Sequence, residues 1–441
     1  MRQLTARERA TNYAEIARLY AGFATRPYLS RARLRAYQLE RLQALVRFAF
    51  DRVPLYHEKY RAHGIGPSDV RTLDDLRHLP TVTKEEILAA YPDGALARGL
   101  DEARCLASKS SGSTGRVMTV VHRADRLAIQ GLAMHRLLAM MGPYRPWHRF
   151  AYIYTSEYPS RGVLGAYPMR WIHTLSPTRE IARELEAFRP HYLASYPSHL
   201  RALVAELGPE RARGLGLSGV SVSSEPSSPA ERAELGRALG CRVHDEYSTE
   251  ELTRVAAECR HGTSHLFEDV VIPEILDEAS DRALSPGTLG ELAGTYLHNF
   301  AMPFIRYRQG DLATLETAHC ACGSRFHRLG RLEGRKLDSF VLPSGRELTS
   351  GFLLDATYAF LLEVGADLAA FRLVQEAPDR VRIDVEPGPR FAPWMRDAIR
   401  RRFLELAGEP LAVEIALLDR LPRSAAGKHR PIVSLAGARP G

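Results

Sequence analysis

Residues 217–245 read LSGVSVSSEPSSPAERAELGRALGCRVHD. Val220 and Val222 alternate as a strand does. Ser228 is placed to cap a helix, with Pro229 in its first turn, Glu231 three positions after the cap and Gly240 as its stop. A second strand, Cys241 to His244, follows at once. Strand, turn, helix and strand in this order belong to an α/β protein with a substantially parallel sheet. The same alternation of short apolar runs and amphipathic stretches extends from about residue 115 to 330. It puts Ser223, Ser224, Glu225 and the stretch Asp245 to Glu250 at the carboxyl ends of neighbouring strands, the edge where open α/β sheets bind ligands.

Outward from this unit the rhythm changes twice. Towards the N-terminus, Leu34, Tyr37, Leu42, Leu45, Val46, Ala49 and Phe50 recur at helical spacing among arginines and predict a packed surface helix. Thr83 to Glu86 is a short capped segment. After Gly334-Arg335 the sequence predicts a hairpin over Val341 to Arg346, a helix, a strand from Val381 to Val385, a helix from Pro393 to Leu406 and a strand around Val413 to Leu417. We expect a large domain over residues 1–334 and a small α+β domain over 335–441.

The 441 residues are 45% hydrophobic and 25% charged, which excludes disordered, collagenous and fibrous classes. Sixty Lys+Arg against 52 Asp+Glu leave +8, spread along the chain, so nucleic acid is not an expected partner. With no long apolar run and no signal-peptide pattern, neither a membrane span nor export is expected, and the reading is cytoplasmic. Only five of the sixty basic residues are lysines, so each lysine carries more information than usual.

Four segments hold groups suited to chemistry. Ser110-Ser111-Gly112-Ser113-Thr114-Gly115-Arg116 offers hydroxyls and backbone amides that can wrap phosphate oxygens, although it lacks the Gly-Lys-Ser/Thr ending of a P-loop and a plain linker reads the same. Asp245-Glu246-Tyr247-Ser248-Thr249-Glu250 combines an aromatic that can stack on a base with carboxylates that can hold magnesium. A strand-to-helix turn capped by Ser248 or Thr249 is the plainer alternative. Arg306-Tyr307-Arg308-Gln309-Gly310-Asp311 ends on a carboxylate able to accept from two adjacent hydroxyls. Leu421 to Lys428 presents a lysine on a glycine-containing loop, a mobile cation for developing negative charge.

In this order the segments resemble the adenylate-forming superfamily of acyl-CoA synthetases and adenylation domains, its phenylacetate-CoA ligase-like branch above all. Tyr196-Pro197-Ser198, Ser224-Glu225-Pro226, Gly290-Glu291-Leu292, Ala301 to Asp311, Gly334-Arg335 with Asp338, and Gly427-Lys428 extend the likeness over nearly the whole chain. The resemblance implies an α/β fold: a large N-terminal domain with mixed, largely parallel sheets, binding ATP and a carboxylic acid, and a small mobile C-terminal domain. It further implies that Ser110, Ser111, Gly112, Ser113, Thr114 and Gly115 hold the pyrophosphate portion of ATP. By the same likeness Ser224, Glu225 and Pro226 line the adenine site, with Asp245 and Glu246 beside Tyr247, which packs on the base. Thr249 touches the α-phosphate, Glu250 positions Mg2+, Asp311 binds the ribose, Arg335 sits by the nucleotide, Asp338 is the hinge and Lys428 is the catalytic cation. Ser248, Arg116 and Ser224 depart from the common residues, and Leu337 stands where many relatives have a second aspartate, which bears on the CoA half-reaction.

Three thiols and a histidine, Cys259, His265, Cys320 and Cys322, could close a tetrahedral zinc site, with His261 as substitute ligand. Surface or core cysteines remain the alternative, and some relatives of the branch carry such a structural metal. Cys105 and Cys241 are expected to be buried. Met134, His135, Trp147, Phe150, Tyr152, Tyr154 and Tyr167 fall where the family builds its acid pocket, and aromatic walls suit an aryl acid, though core packing explains them equally. The resemblance thus implies an ATP- and Mg-dependent ligase that forms an acyl-adenylate from an aromatic or similar carboxylic acid, releases pyrophosphate and passes the acyl group to the thiol of CoA; a homodimer is compatible with the resemblance and with nothing else in the sequence. Transfer to a carrier-protein thiol or an amine, and a non-catalytic nucleotide-binding scaffold, are the competing readings.

Overall fold

The computed structural model describes residues 3–109, 117–158, 165–423 and 428–436. The chain divides into two compact units, one of Met1–Tyr144, Tyr158–Arg161 and Glu246–Arg331, the other of Arg145–Glu157, Gly162–Asp245 and Leu332–Gly441. It passes between them within the strands Val243–Thr249 and Arg328–Arg335.

The second unit contains the parallel sheet that the 217–245 stretch predicts. Its strands lie in the order Met169–His173, Phe150–Tyr154, Tyr192–Ser195, Gly219–Val222 and the start of Val243–Thr249, each pair parallel. Ser228 Oγ accepts from Glu231 N at 3.0 Å to open the helix Pro229–Leu239, and Gly240 closes it with φ 70°. Helices Thr178–Phe188 and Pro197–Gly214 make the neighbouring crossovers. Ile153, Leu193, Leu203, Val220, Val222 and Leu239 form the dry core between sheet and helices. The second strand of the predicted unit starts at Val243 rather than Cys241, because Cys241 N is still bonded to Gly236 O at the helix end.

Residues 332–436 add a four-stranded sheet in the order Ala412–Leu417, Arg380–Pro387, Leu368–Ala377 and Ile432–Ser434, backed by helices Ser350–Val364 and Pro393–Ala407. The predicted hairpin is present as Phe340–Val341 paired with Glu347–Leu348. Leu368–Ala377, which the sequence reading passed over, is the longest of these strands and pairs with both Arg380–Pro387 and Ile432–Ser434.

In the first unit the sheet is antiparallel. From Glu246 onward the connections shorten to turns, as between Thr249 and Thr253, and a short turn joins only antiparallel neighbours. The stretch Asp245 to Glu250 is therefore a strand entering a strand-to-strand turn, not the head of a helix. Helix Arg31–Arg52 buries Leu34, Leu42, Leu45, Val46 and Ala49, as its periodicity predicts. Arg306 enters the strand Tyr307–Glu316 fully buried, and its five N–H donors all meet oxygens. Glu274 takes a bidentate fork at 3.0 Å and 3.0 Å, while Arg77 O, Leu79 O and Asp281 O accept at 3.1, 2.5 and 2.9 Å. Among the described residues, no helix is long and apolar enough to cross a membrane.

Candidate active site and metal cluster

Two strands bring two of the predicted motifs together in the first unit. Tyr247 lies on Val243–Thr249 and Asp311 on Tyr307–Glu316; the phenol donates to Asp311 Oδ2 at 2.5 Å. Asp311 is 5% exposed, so this short bond to a carboxylate is charge-assisted and shielded from water. The strand bends at Gly310, whose φ of 72° costs a glycine nothing and whose N–H donates to Glu291 Oε1 at 3.2 Å.

Side chains alternate across a strand, so Glu246 faces away from Tyr247. It is buried against Arg254, Oε1 to Nε 2.8 Å. Arg254 Nη2 also reaches Tyr158 OH at 3.4 Å and Met134 Sδ at 3.3 Å, and burial pushes the Tyr158 phenol up to about 12. Thr249 Oγ1 accepts from Leu252 N at 3.0 Å, which shapes the turn, and Glu250 stands exposed on it. His122, on the strand Thr119–Arg123, hydrogen-bonds the backbone of Glu250, and burial pushes its imidazole down to about 4.

In the second unit, Glu225 is buried and turned inward. Its carboxylate accepts from Ser198 N at 3.0 Å, Ser198 Oγ at 2.9 Å and His429 N at 2.6 Å. Ser224 and Pro226 beside it are exposed, with Ser224 in the left-handed region at φ 68°. Lys428 holds its ammonium 5.3 Å from the centre of the Tyr196 ring, a cation–π distance. Asp338 accepts from Arg430 Nη2 at 2.5 Å, and Asp245 lies 3.9 Å from Arg232. Arg335 ends the strand Arg328–Arg335 and is half-buried. Ser110, Ser111, Gly112, Ser113, Thr114, Gly115 and Gly427 lie outside the described residues.

The aromatic set divides. Phe150 and Tyr152 are core residues of the parallel sheet, and Trp147 is 66% exposed. Tyr154 reaches the sheet's carboxyl edge, where its OH meets Ser223 Oγ at 2.6 Å and its ring packs edge-on to Tyr196 at 5.2 Å. His135 packs edge-on between Tyr20 and Tyr144.

Cys259, His265, Cys320 and Cys322 converge, their ligand atoms all within 4.8 Å of one another. Cys259 Sγ and Cys320 Sγ are 3.7 Å apart and Cys322 Sγ lies 3.1 Å from His265 Nε2. Tetrahedral ligands 2.3 Å from a zinc ion stand about 3.8 Å from one another, so the donor set and its span fit that metal. His265 Nδ1 faces Phe326 O at 3.4 Å, the outer contact that leaves Nε2 for a ligand bond. Burial pushes the Cys322 thiol up to about 12, whereas hydrogen bonds from Cys322 N, Thr263 and His265 overcome burial and lower Cys320. His261 is exposed and stays out of the cluster, while Cys241 is only half-buried and Cys105 likewise.

Sequence reasoning missed Ser198 and His429 as partners of Glu225, Arg254 as partner of Glu246, and His122. Tyr196-Pro197-Ser198 was legible as a motif, but no local pattern marks His122 or Arg254, since their roles arise from pairing between strands.

No family model matches the chain. It is 31% identical to the phenylacetate-coenzyme A ligase of Escherichia coli over 70% of this chain and 72% of that one. It is 28% identical to the Thermus thermophilus enzyme of the same name over 92% and 98%. Its fold is that of 2-hydroxyisobutyryl-CoA ligase in the postadenylation state, with a TM-score of 0.80 at 22% identity, covering 94% of this chain and 91% of that one. The shared sequence over more than two thirds of both chains, carried on this fold, means that the chain belongs to the phenylacetate-coenzyme A ligase family of AMP-forming acid–thiol ligases.

Proposed function

We propose that the protein activates an aromatic carboxylic acid with ATP and Mg2+, releasing pyrophosphate, and transfers the acyl group from the adenylate to the thiol of CoA. The observation that carries this reading is the Tyr247–Asp311 bond, which joins two of the predicted nucleotide motifs, 64 residues apart, from two non-adjacent strands of one sheet. In this reading Asp311 holds the ribose, Tyr247 packs on adenine, Thr249 and the exposed Glu250 face the α-phosphate and magnesium, and the Ser110–Gly115 segment holds the outgoing pyrophosphate. A carboxylate attacking a polyanion gains most from charge neutralisation, which Mg2+ and Lys428 supply. Residues 335–441 act as the mobile lid that brings Lys428 in for adenylation and withdraws it for thioester formation. Tyr154 and Tyr196 at the sheet edge support an aryl acid. Cys259, His265, Cys320 and Cys322 hold a structural zinc, which has four protein ligands and no open position for chemistry.

The test is acid-dependent exchange of labelled pyrophosphate into ATP over aryl, arylalkyl and short hydroxy acids, with AMP release followed with and without CoA. Exchange with aryl acids and CoA-stimulated AMP release support the reading. Exchange accompanied by AMP release that does not respond to CoA points instead to a carrier-protein thiol or an amine as acceptor. Nucleotide binding without exchange for any acid favours the scaffold.

A further inference from the structure

The strands Cys105–Lys109 and Thr119–Arg123 pair antiparallel and form the stem flanking residues 110–116. His122 stands on this stem, opposite Leu106. Gln130, from the helix Ala128–Met141, brings its side-chain nitrogen 3.3 Å from His122 Nδ1. An amide nitrogen only donates, so Nδ1 accepts and the ring proton sits on Nε2. From there it donates to the backbone carbonyl of Glu250. Gln130 also bonds the phenol of Tyr296, a buried residue at the end of Gly290–Tyr296, whose ring lies edge-on to His122 at 6.3 Å. The imidazole is thus held by a helix and a strand, and in turn holds one carbonyl.

That carbonyl belongs to the turn between paired Thr249 and Thr253, in which Glu251 and Leu252 are buried and Glu250 alone is exposed. Glu250 is exposed, so its carboxylate has no packing to set its direction and follows the backbone. The turn is closed on its other side by the Thr249–Leu252 bond and by Thr253 in the left-handed region at φ 60°. We infer that His122 is a positioning residue: its Nε2–H bond to the Glu250 carbonyl ties the turn that carries Glu250 to the strand pair Cys105–Lys109 and Thr119–Arg123, and so sets the direction of the Glu250 carboxylate. This rests on the reading of Glu250 given above. It adds a residue outside the motifs, and it predicts that Gln130 acts through the tautomer of His122 rather than by touching the nucleotide.

The experiment uses the full chain with His122→Phe, His122→Gln and Gln130→Met, each checked for an unchanged melting temperature. Two-bond 1H–15N spectra of the parent, taken without nucleotide, are expected to show His122 neutral with the proton on Nε2; a proton on Nδ1 overturns the inference. Calorimetric titration of ATP at varied Mg2+, with no acid present, is expected to show about tenfold weaker Mg2+-dependent ATP binding for His122→Phe. Most of that loss should be recovered in His122→Gln, whose amide reaches the same carbonyl. Thioester formation from a supplied acyl-adenylate should be unchanged in all three. Parent-like Mg2+ dependence in a folded His122→Phe, or equal losses in binding and in the thioester step, overturns it. A parent that binds Mg·ATP yet activates no acid counts against the ligase reading alone, because the binding titrations still score His122.

Discussion

Tyr247 and Asp311, from two strands of the same sheet, share a 2.5 Å hydrogen bond that fixes an aromatic face beside a buried carboxylate. A hydrogen bond to a charged group contributes about 1.5–3 kcal/mol. Tyr247→Phe should therefore leave Asp311 less well oriented and raise the KM for ATP roughly tenfold, with the KM for the acid unchanged. Initial-rate measurements of pyrophosphate exchange at varied ATP check this, and a shift in the acid KM instead would place Tyr247 on the other substrate.

Lys428 rests over the Tyr196 ring, 5.3 Å from its centre. If it meets the developing charge in the first half-reaction only, Lys428→Ala should lower exchange by about 100-fold or more. Thioester formation from a supplied acyl-adenylate should persist in that variant. Equal loss in both half-reactions would reassign the lysine to general structure.

The cysteine cluster makes a stoichiometric prediction. Purified protein should hold one zinc per chain by elemental analysis, and Cys259→Ser or Cys322→Ser should lose it together with several degrees of melting temperature. His261→Ala should keep both, since His261 lies outside the cluster. Metal-free parent protein with an unchanged melting temperature would return the four residues to ordinary packing.

Glu268 provides a pH prediction. Burial raises its pKa, but hydrogen bonds with His327 and Arg31 outweigh burial and hold the carboxyl below its ordinary 4.5. Arg31 reaches it bidentately at 2.8 Å and 3.0 Å, and His327 Nδ1 lies 3.2 Å away. A depressed folded pKa stabilises fully above the unfolded value and is lost as pH falls through the folded one. The melting temperature of the parent should therefore fall more steeply below about pH 4.5 than that of Glu268→Gln, with the two curves parallel above it. Parallel curves throughout would show that Glu268 adds nothing to acid sensitivity.

Much of the fold is legible because its signals are local. The cap at Ser228, the stop at Gly240 and the alternation of Val220 and Val222 each report on a few neighbouring residues, and each element appears where they indicate. The antiparallel half was harder to read. Its strands are paired through short turns and carry buried charges such as Glu246 and Arg254, which break the apolar alternation a sequence reading relies on. Motif residues were likewise visible as types but not as partners. Asp311 and Tyr247 were both identified, yet their bond depends on the register of strands far apart in the chain. Glu225 was identified as a motif residue, but its partners Ser198 and His429 were not, the second lying 204 positions away.

Arg306 has a consequence for tolerance to substitution. Its guanidinium meets five oxygens from the Arg77–Leu79 segment, Glu274 and Asp281, leaving no donor idle and no alternative rotamer that keeps them all. A lysine brings three donors on one atom and cannot reproduce the fork, so the usual exchange between basic residues fails there. In a saturation library of this enzyme, position 306 should stand out as a gap in which every replacement is depleted.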